Sequence, residues 1–263
     1  MPGLLLPPAD RRLRHLAKQH AALRFLNQTV YSVAETLGRV MGLHAVQPAY
    51  RALHGMERER LITRGEVQLH GVKFRLYGIT PHGQAVAEAE VGAPRNDRYF
   101  LPSRVPVSCL VHFLGLQKLH LAAVDEGWRE WHYCDIEEAA YANDQPRPDA
   151  VARDRTGVRW AIEYERTLKT PKRYPEILAR HLKAIKAGRA DRVVWVCDTE
   201  PRMEHLRKTI LAIKEVPVTA DKMVVIEPRH RARLSFAAIR DFPLILQSTR
   251  DPLGAPAFGE TTS

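Results

Sequence analysis

The stretch Val158-Arg159-Trp160-Ala161-Ile162-Glu163-Tyr164-Glu165, read together with Arg147-Pro148-Asp149-Ala150 just before it, decides how the chain is understood. Its apolar, aromatic and β-branched residues predict a strand. Alternate side chains of a strand share a face, so Glu163 and Glu165 project together and Tyr164 points to the opposite face, into the core. Arg155-Thr156-Gly157 reads as a tight turn, and the segment from Pro148 to Ala152 as a short partner strand. That hairpin brings Asp149 beside the two glutamates. Three carboxylates at strand ends make a hard, oxygen-rich set suited to Mg²⁺ or Mn²⁺. Such an ion activates water and neutralises charge on a phosphodiester. Asp149, Glu163 and Glu165 are therefore the candidate metal ligands, with Glu165 a further ligand or a base. Lys169 or Lys172 is the candidate charge stabiliser, and Arg173 and Arg180 follow on the same rim. The plainer reading makes Asp149 a turn cap and pairs Glu165 with Arg166 or Lys169.

Around this stretch the pattern alternates between helices and short β-rich runs. A helix is expected from Val105 to Glu126, then a strand from Trp128 to Tyr133. After Glu165 come a helix from Arg173 to Ala187, a buried strand from Arg192 to Cys197, a helix from Pro201 to Ile213 and a strand from Lys222 to Glu227. The order predicts an α/β domain over residues 101–246 with helices on both sides of a mixed sheet. The four tryptophans fall in strand-like runs and read as core. His112 stands on an otherwise apolar helix; packing is the usual fate of such a residue, with general base or carboxylate orientation as its functional role. Tyr174 reads as packing rather than as a nucleophile, because no histidine triad accompanies it. Arg229, His230, Arg231 and Arg233 form a basic run, read as a solvated loop or as a phosphate contact.

The first third has another style, and the turn-rich segment from Val91 to Asp97 separates the two. Leu13, Leu16, Ala17, Leu23, Leu26 and Val30 recur at helical spacing. Thr29 is placed to cap a second helix, Ser32 to Met41, and a third runs from about Gln47 to Glu59 after the Gly42-Leu43-His44 turn. Strands from Glu66 to His70 and from Val72 to Tyr77 meet at His70-Gly71, a hairpin signal. Thr80 then caps a last helix with Pro81 in its first position. This order over residues 10–90 resembles a winged helix-turn-helix. The resemblance implies that the third helix enters a major groove with Gln47, Tyr50 and Arg51 toward the DNA, and that Lys73 and Arg75 bring the wing to the backbone.

Composition agrees with a polyanionic partner. The 263 residues carry 40 Lys or Arg against 30 Asp or Glu, a net charge of +10. Residues 1–98 hold 14 of the cations and 8 of the acids. No apolar run is judged long enough to span a bilayer, and the Met1–Pro8 start is too short and proline-broken for a signal peptide. Cys109, Cys134 and Cys197 form no CxxC pair, which argues against a zinc finger or a disulfide framework and for thiols in a reducing cytoplasm. Residues 247–263 read as a flexible tail.

The Pro148-Asp149…Glu163-Tyr164-Glu165 run resembles the PD-(D/E)XK nuclease core, with Glu165 where that superfamily carries its lysine. A wider set resembles the replication-relaxation family, which includes MobC-type plasmid mobilisation relaxases. It comprises Val111 to Lys118, Trp128…Glu137-Glu138, Arg147 to Ala150, and Ala161 to Thr167 with Lys169 and Arg173 beyond. In that family a second acid is expected at Glu165. The resemblance implies a winged helix joined to a nuclease-like domain acting on plasmid or other mobile-element DNA by origin binding, relaxation or nicking. It implies double-stranded DNA and mobilisation or replication proteins as partners. Winged helices often dimerise, but no heptad or other dimer signal appears. The alternative is a non-catalytic DNA-binding regulator of replication or transcription whose nuclease-like domain has lost its chemistry.

Overall fold

A computed structural model describes residues 7–134, 147–219 and 221–247. The tail and the Glu137-Glu138 motif lie outside the described residues. The chain is a mixed α and β protein that divides into two compact units, one of residues 7–121 with 131–134, the other of 122–130 with 147–247.

The first unit opens with α1 (Pro8–Thr29), β1 (Tyr31–Ser32), α2 (Ala34–Val40) and α3 (Val46–Arg58), followed by β2 (Ile62–Leu69), β3 (Val72–Ile79) and α4 (Pro81–Val91). The sheet is β1-β3-β2, wholly antiparallel. His70 and Gly71 both take positive φ, 49° and 79°, the requirement of a two-residue hairpin turn that matches strand twist. The Thr80 hydroxyl accepts from the Gly83 N–H at 2.9 Å, so the predicted cap of α4 is in place. Leu23, Leu26, Leu37, Leu53, Met56, Ile62 and Ile79 bury together as the helical core.

Two expectations fail here. Thr29 caps nothing new: its hydroxyl donates to the Phe25 carbonyl at 3.0 Å inside α1, and α2 starts only at Ala34, without a side-chain cap. The unit also does not stop at the Val91–Asp97 turn. Asn27 Nδ2 donates to the Pro94 carbonyl at 2.8 Å, and the Phe100 N–H donates to the Ile79 carbonyl at 2.9 Å. Phe100 is buried over Gly78, where any Cβ would meet the ring at 2.1 Å. Polar turn residues thus tie the strap down rather than free it.

The helix expected from Val105 begins with two short 3₁₀ turns, and α5 proper is Leu110–Asp125. Contrary to the sequence reading, the 19 residues Val107–Asp125, with mean hydropathy 1.4, are long and apolar enough to cross a membrane. Lys118 and Asp125 are the charged residues of the span, too few among its leucines, alanines and valines to pull the average down. Within the first unit the helix also has protein partners. Gln117 is fully buried, donating to the Tyr31 carbonyl at 2.8 Å and accepting from the Ser32 hydroxyl at 2.5 Å.

The second unit takes its sheet order from β10-β7-β6-β5-β4. Here β4 is Arg129–Tyr133, whose Arg129 and Glu130 belong to this unit; β5 is Ala150–Arg153, β6 Arg159–Glu165, β7 Arg192–Cys197 and β10 Leu234–Ala238. β5 and β6 are antiparallel; β6, β7 and β10 are parallel, joined through α6 (Tyr174–Lys186) and α7 (Glu200–Leu211). Two parallel crossovers moving in one direction, each right-handed, put both helices on one face. Leu178 of α6 and Leu206 of α7 indeed bury with Val193, Trp195 and Cys197, which share one side of β7. The crossover helices are therefore not on opposite sides. On the other face, Trp128 packs against Trp160 and Phe242, with ring centroids 5.8 and 5.6 Å apart.

The strand expected at Lys222–Glu227 is β9 (Lys222–Val225). It leaves the main sheet for a separate ribbon with β8 (Glu215–Thr219), a strand the sequence reading missed along with β10. The basic run falls on a short helix, α8 (Pro228–Arg231). Arg231 donates to the carbonyls of Leu211 and Ile213 at 2.5 and 2.8 Å, holding the end of α7 rather than a phosphate. A final helix, α9, is Leu244–Gln247.

In the first unit His120 stacks between Phe25 and Trp131, centroids 5.7 and 4.9 Å away, with Nδ1 2.8 Å from the Tyr133 hydroxyl. Burial lowers its pKa from 6.5 to about 4. The unfolded chain therefore takes up a proton that the folded one refuses, so stability is full above pH 6.5 and falls toward pH 4. Thermal midpoints measured across that window should drop for the wild type, and His120→Phe should flatten this part of the dependence.

Candidate functional site

The site forms where β6 ends. The β5–β6 hairpin is closed by Asp154, whose Oδ1 accepts from the Thr156 and Val158 N–H groups at 2.8 and 3.1 Å and whose Oδ2 accepts from Trp160 Nε1 at 2.9 Å. Burial pushes the Asp154 carboxyl up, but these hydrogen bonds outweigh it and hold the group below its ordinary range. The hairpin sets the register: Ala150 lies opposite Ile162, so one more step puts Asp149 opposite Glu163. Cross-strand partners share a face, and Glu165 is two residues from Glu163 on that face.

Each carboxylate is held. Asp149 Oδ2 accepts from the Tyr164 N–H at 2.6 Å. Glu163 Oε1 lies 2.9 Å from His181 Nε2, and the His181 side chain is 3% exposed. Glu165, also 4% exposed, takes the Lys169 ammonium. The Tyr174 phenol accepts the Lys169 N–H at 2.9 Å and so fixes the loop that carries this lysine. Burial is the main cause that raises the Glu165 pKa; Lys169 opposes it, while the charges of Glu163 and Asp149 add to it. The charges of the other two acids are thus felt at Glu165.

The Tyr174 hydroxyl is pushed up to about 12 by burial and then by Glu165, and the Cys197 thiol to about 12 by burial, Glu165 and Asp198. Both stay protonated at neutral pH and are poor nucleophiles. Tyr164 points to the opposite face, as strand alternation requires, and burial with nearby Asp198 raises its pKa. Beside Lys169 a small cleft is lined by Leu168, Pro171, Tyr174, His205, Leu206 and Thr209.

Of the residues named from sequence, Asp149, Glu163, Glu165 and Lys169 come together. Lys172 and Arg173 occupy an exposed 3₁₀ turn, Pro171–Arg173, before α6, and Arg180 is exposed on α6. His112 lies on α5 in the first unit, whereas the acids lie in the second. His181 was overlooked. Its signal was available: Tyr174, Leu178, His181 and Ile185 follow the buried stripe of an amphipathic helix, and a histidine there requires a polar partner. Among the described residues no group of three or more His, Cys, Asp and Glu side chains stands close enough together to hold a metal ion as placed. Three carboxylates on one strand-end face are nonetheless the ligand type that hard, oxygen-seeking cations take.

In the first unit, Gln47, Tyr50 and Arg51 are all exposed on α3, with His54 and Arg58 further along it. Lys73 and Arg75 are exposed on β3, where Glu66 lies 4.0 and 3.6 Å from them. Compared with models of known families and with curated protein sequences, the chain finds no match.

Because burial of the Glu165 charge costs more than Lys169 returns, Glu165→Gln should unfold at higher denaturant than the wild type at pH 7 in a chelator. The raised pKa means the wild type recovers stability as pH falls through it, so the difference should close below the ordinary carboxylate range.

Proposed function

We propose that the chain is a DNA-binding protein whose second unit nicks or relaxes DNA with a divalent metal ion, in the manner of a PD-(D/E)XK-like relaxase of a plasmid or other mobile element. The observation that carries the proposal is the convergence of Asp149, Glu163 and Glu165 with Lys169 at the end of β6. Burying a carboxylate such as Glu165 at a strand end costs stability, a cost that functional sites characteristically retain. The likeness to the replication-relaxation family, drawn from sequence motifs, supports the same reading.

Asp149 and Glu163 would hold the ion, with Glu165 joining as ligand or base. Bound there, Mg²⁺ or Mn²⁺ supplies charge neutralisation at a phosphodiester and a more acidic water. The chain's own residues do the rest. His181 keeps Glu163 in one rotamer, and the Tyr164 N–H does the same for Asp149. Lys169, anchored by Glu165 beside the cleft, offers a cation to the negative charge that develops on the phosphoryl and leaving oxygens when water attacks the phosphorus and the P–O bond to the leaving strand breaks.

DNA recognition falls to the first unit. Its helix, helix, hairpin order supports a winged helix-turn-helix, with the exposed face of α3 toward the groove and β2–β3 as the wing. A second reading, a regulator without catalysis, is favoured by one observation: each of the three acids already has a protein partner.

Supercoiled DNA carrying the gene's own flanking region, incubated with Mg²⁺, Mn²⁺ or chelator, tests the proposal. Metal-dependent open circles are expected from the wild type. Glu163→Gln and Asp149→Asn should lose them while keeping DNA affinity, and Arg51→Ala should weaken binding about 10-fold. Nicking that persists in Glu163→Gln removes the metal site. Retention in gels without nicking favours the regulator. Glu66→Gln frees both wing cations from their acid, so its DNA affinity should rise about 2- to 5-fold at low salt.

A further inference from the structure

The first ten residues of α1, from Pro8 to Ala17, are all exposed, and Gln19 is the first buried residue of the helix. A helix of this length is marginal in water by itself, so the extension is held by continuity with the packed half behind it. It carries Arg11, Arg12 and Arg14, with Lys18 at its base, against Asp10 alone. Among the described residues none of these four cations makes an ion pair.

Helical spacing sets Arg11, Arg14, His15 and Lys18 on one stripe. His15 Nε2 lies 3.9 Å from Glu59, and Gln19 Nε2 donates to the same carboxylate at 2.5 Å. Glu59 is the C-cap residue just past the end of α3, with Arg58 and Arg60 exposed on either side of it. The stripe therefore starts at the C-terminal end of α3 and runs outward. At about 1.5 Å per residue, Arg11 lies about 12 Å beyond the Gln19 anchor.

We infer that the N-terminal half of α1 is a second contact to duplex DNA, gripping backbone phosphates that flank the segment met by α3. The inference rests on the DNA-binding reading of the first unit. Charge selects the partner. A second copy of the chain docked symmetrically here would set these cations against themselves. A membrane surface needs a broad apolar face, and only Leu13 and Leu16 are exposed large apolar residues on this segment. A phosphate backbone satisfies the cations without asking for apolar burial, and its contacts carry no sequence requirement.

The test uses the full chain and random-sequence duplexes of about 12 and about 32 base pairs, the longer adding roughly one helical turn on each side. In the variant Arg11→Gln/Arg12→Gln/Arg14→Gln, affinity for the long duplex should fall about 10- to 100-fold near 0.1 M salt. The slope of log affinity against log salt should shallow by about 2 to 3. Binding to the short duplex should change little. The triple Arg→Lys variant should restore affinity, and an unchanged circular dichroism spectrum and thermal midpoint would confirm folding. A wild type that binds the long duplex with the affinity and salt slope of the Gln variant overturns the inference while leaving α3 as a DNA reader. A wild type that binds neither duplex at low salt overturns the DNA reading itself. Binding to phosphatidylserine vesicles that is lost in the Gln variant, with DNA affinity unchanged, overturns the inference in favour of a lipid surface.

Discussion

The structure of the second unit turns on the burial of charge at the end of β6. This strand is bonded to β5 on one side and β7 on the other, so its residues have little access to water. Its last residues are nonetheless acids, and an unpaired buried carboxylate costs several kcal/mol. The surroundings are arranged around that cost. α6 must present His181 at the level of Glu163, the loop between β6 and α6 must return Lys169 to Glu165, and the Tyr174 phenol must hold that loop in place. Apolar residues of similar size would fill the same space more stably. Retaining acids there is the pattern of a site that gives up stability for chemistry, which is why the proposed function rests on these residues rather than on the sheet that carries them.

The parts legible in the sequence were those whose information is local. The β6 run, the Asp154–Val158 turn, the Thr80-Pro81 cap and the His70-Gly71 hairpin each depend on a few consecutive residues. The parts that were not legible depend on partners distant in the chain. β9 looks like a core strand by composition, yet it pairs only with β8, and nothing in Lys222–Val225 records that choice. β10, Leu-Ser-Phe-Ala-Ala, has no β-branched residue and becomes a strand because β7 offers it an edge. Leu13 and Leu16 fit the helical period of α1 as Leu23 and Leu26 do, yet only the latter pair is buried, and nothing local in the sequence distinguishes them. The boundary between units was misplaced for a similar reason. Turn residues from Val91 to Asp97 signal a bend, and only the contacts of Asn27 and Gly78 show that the bend returns to the same unit.

His181 shows the same limit in the site itself. Motif reading moves along a strand and its neighbours in sequence, and so it found Asp149, Glu163, Glu165 and Lys169. The residue against Glu163 is eighteen positions downstream on a helix, where it resembles core filler. A buried polar side chain in an apolar stripe is nonetheless a demand for a partner, and the partner is found by asking which strand the stripe covers. Trp195, set edge-on to the His181 ring at 5.3 Å and opposite Glu163 in the β6–β7 register, completes that answer.

The position of Lys169 bears on the one departure from the nuclease pattern. In that pattern the cation comes from the strand, two residues after the central acid; here the strand gives Glu165 instead. A lysine on the strand would keep its ammonium in place through backbone geometry alone. A lysine four residues further on, in a loop, has no such constraint and needs an anion to hold it. Glu165 provides the anion, and the Tyr174 hydroxyl restrains the lysine backbone. The second acid and the displaced lysine then explain each other: neither is well placed alone, and together they bring an ammonium group back to the strand end as half of an ion pair. On the proposed reading, Glu165 therefore holds the lysine with one carboxylate oxygen and leaves the other for its part as ligand or base beside Asp149 and Glu163.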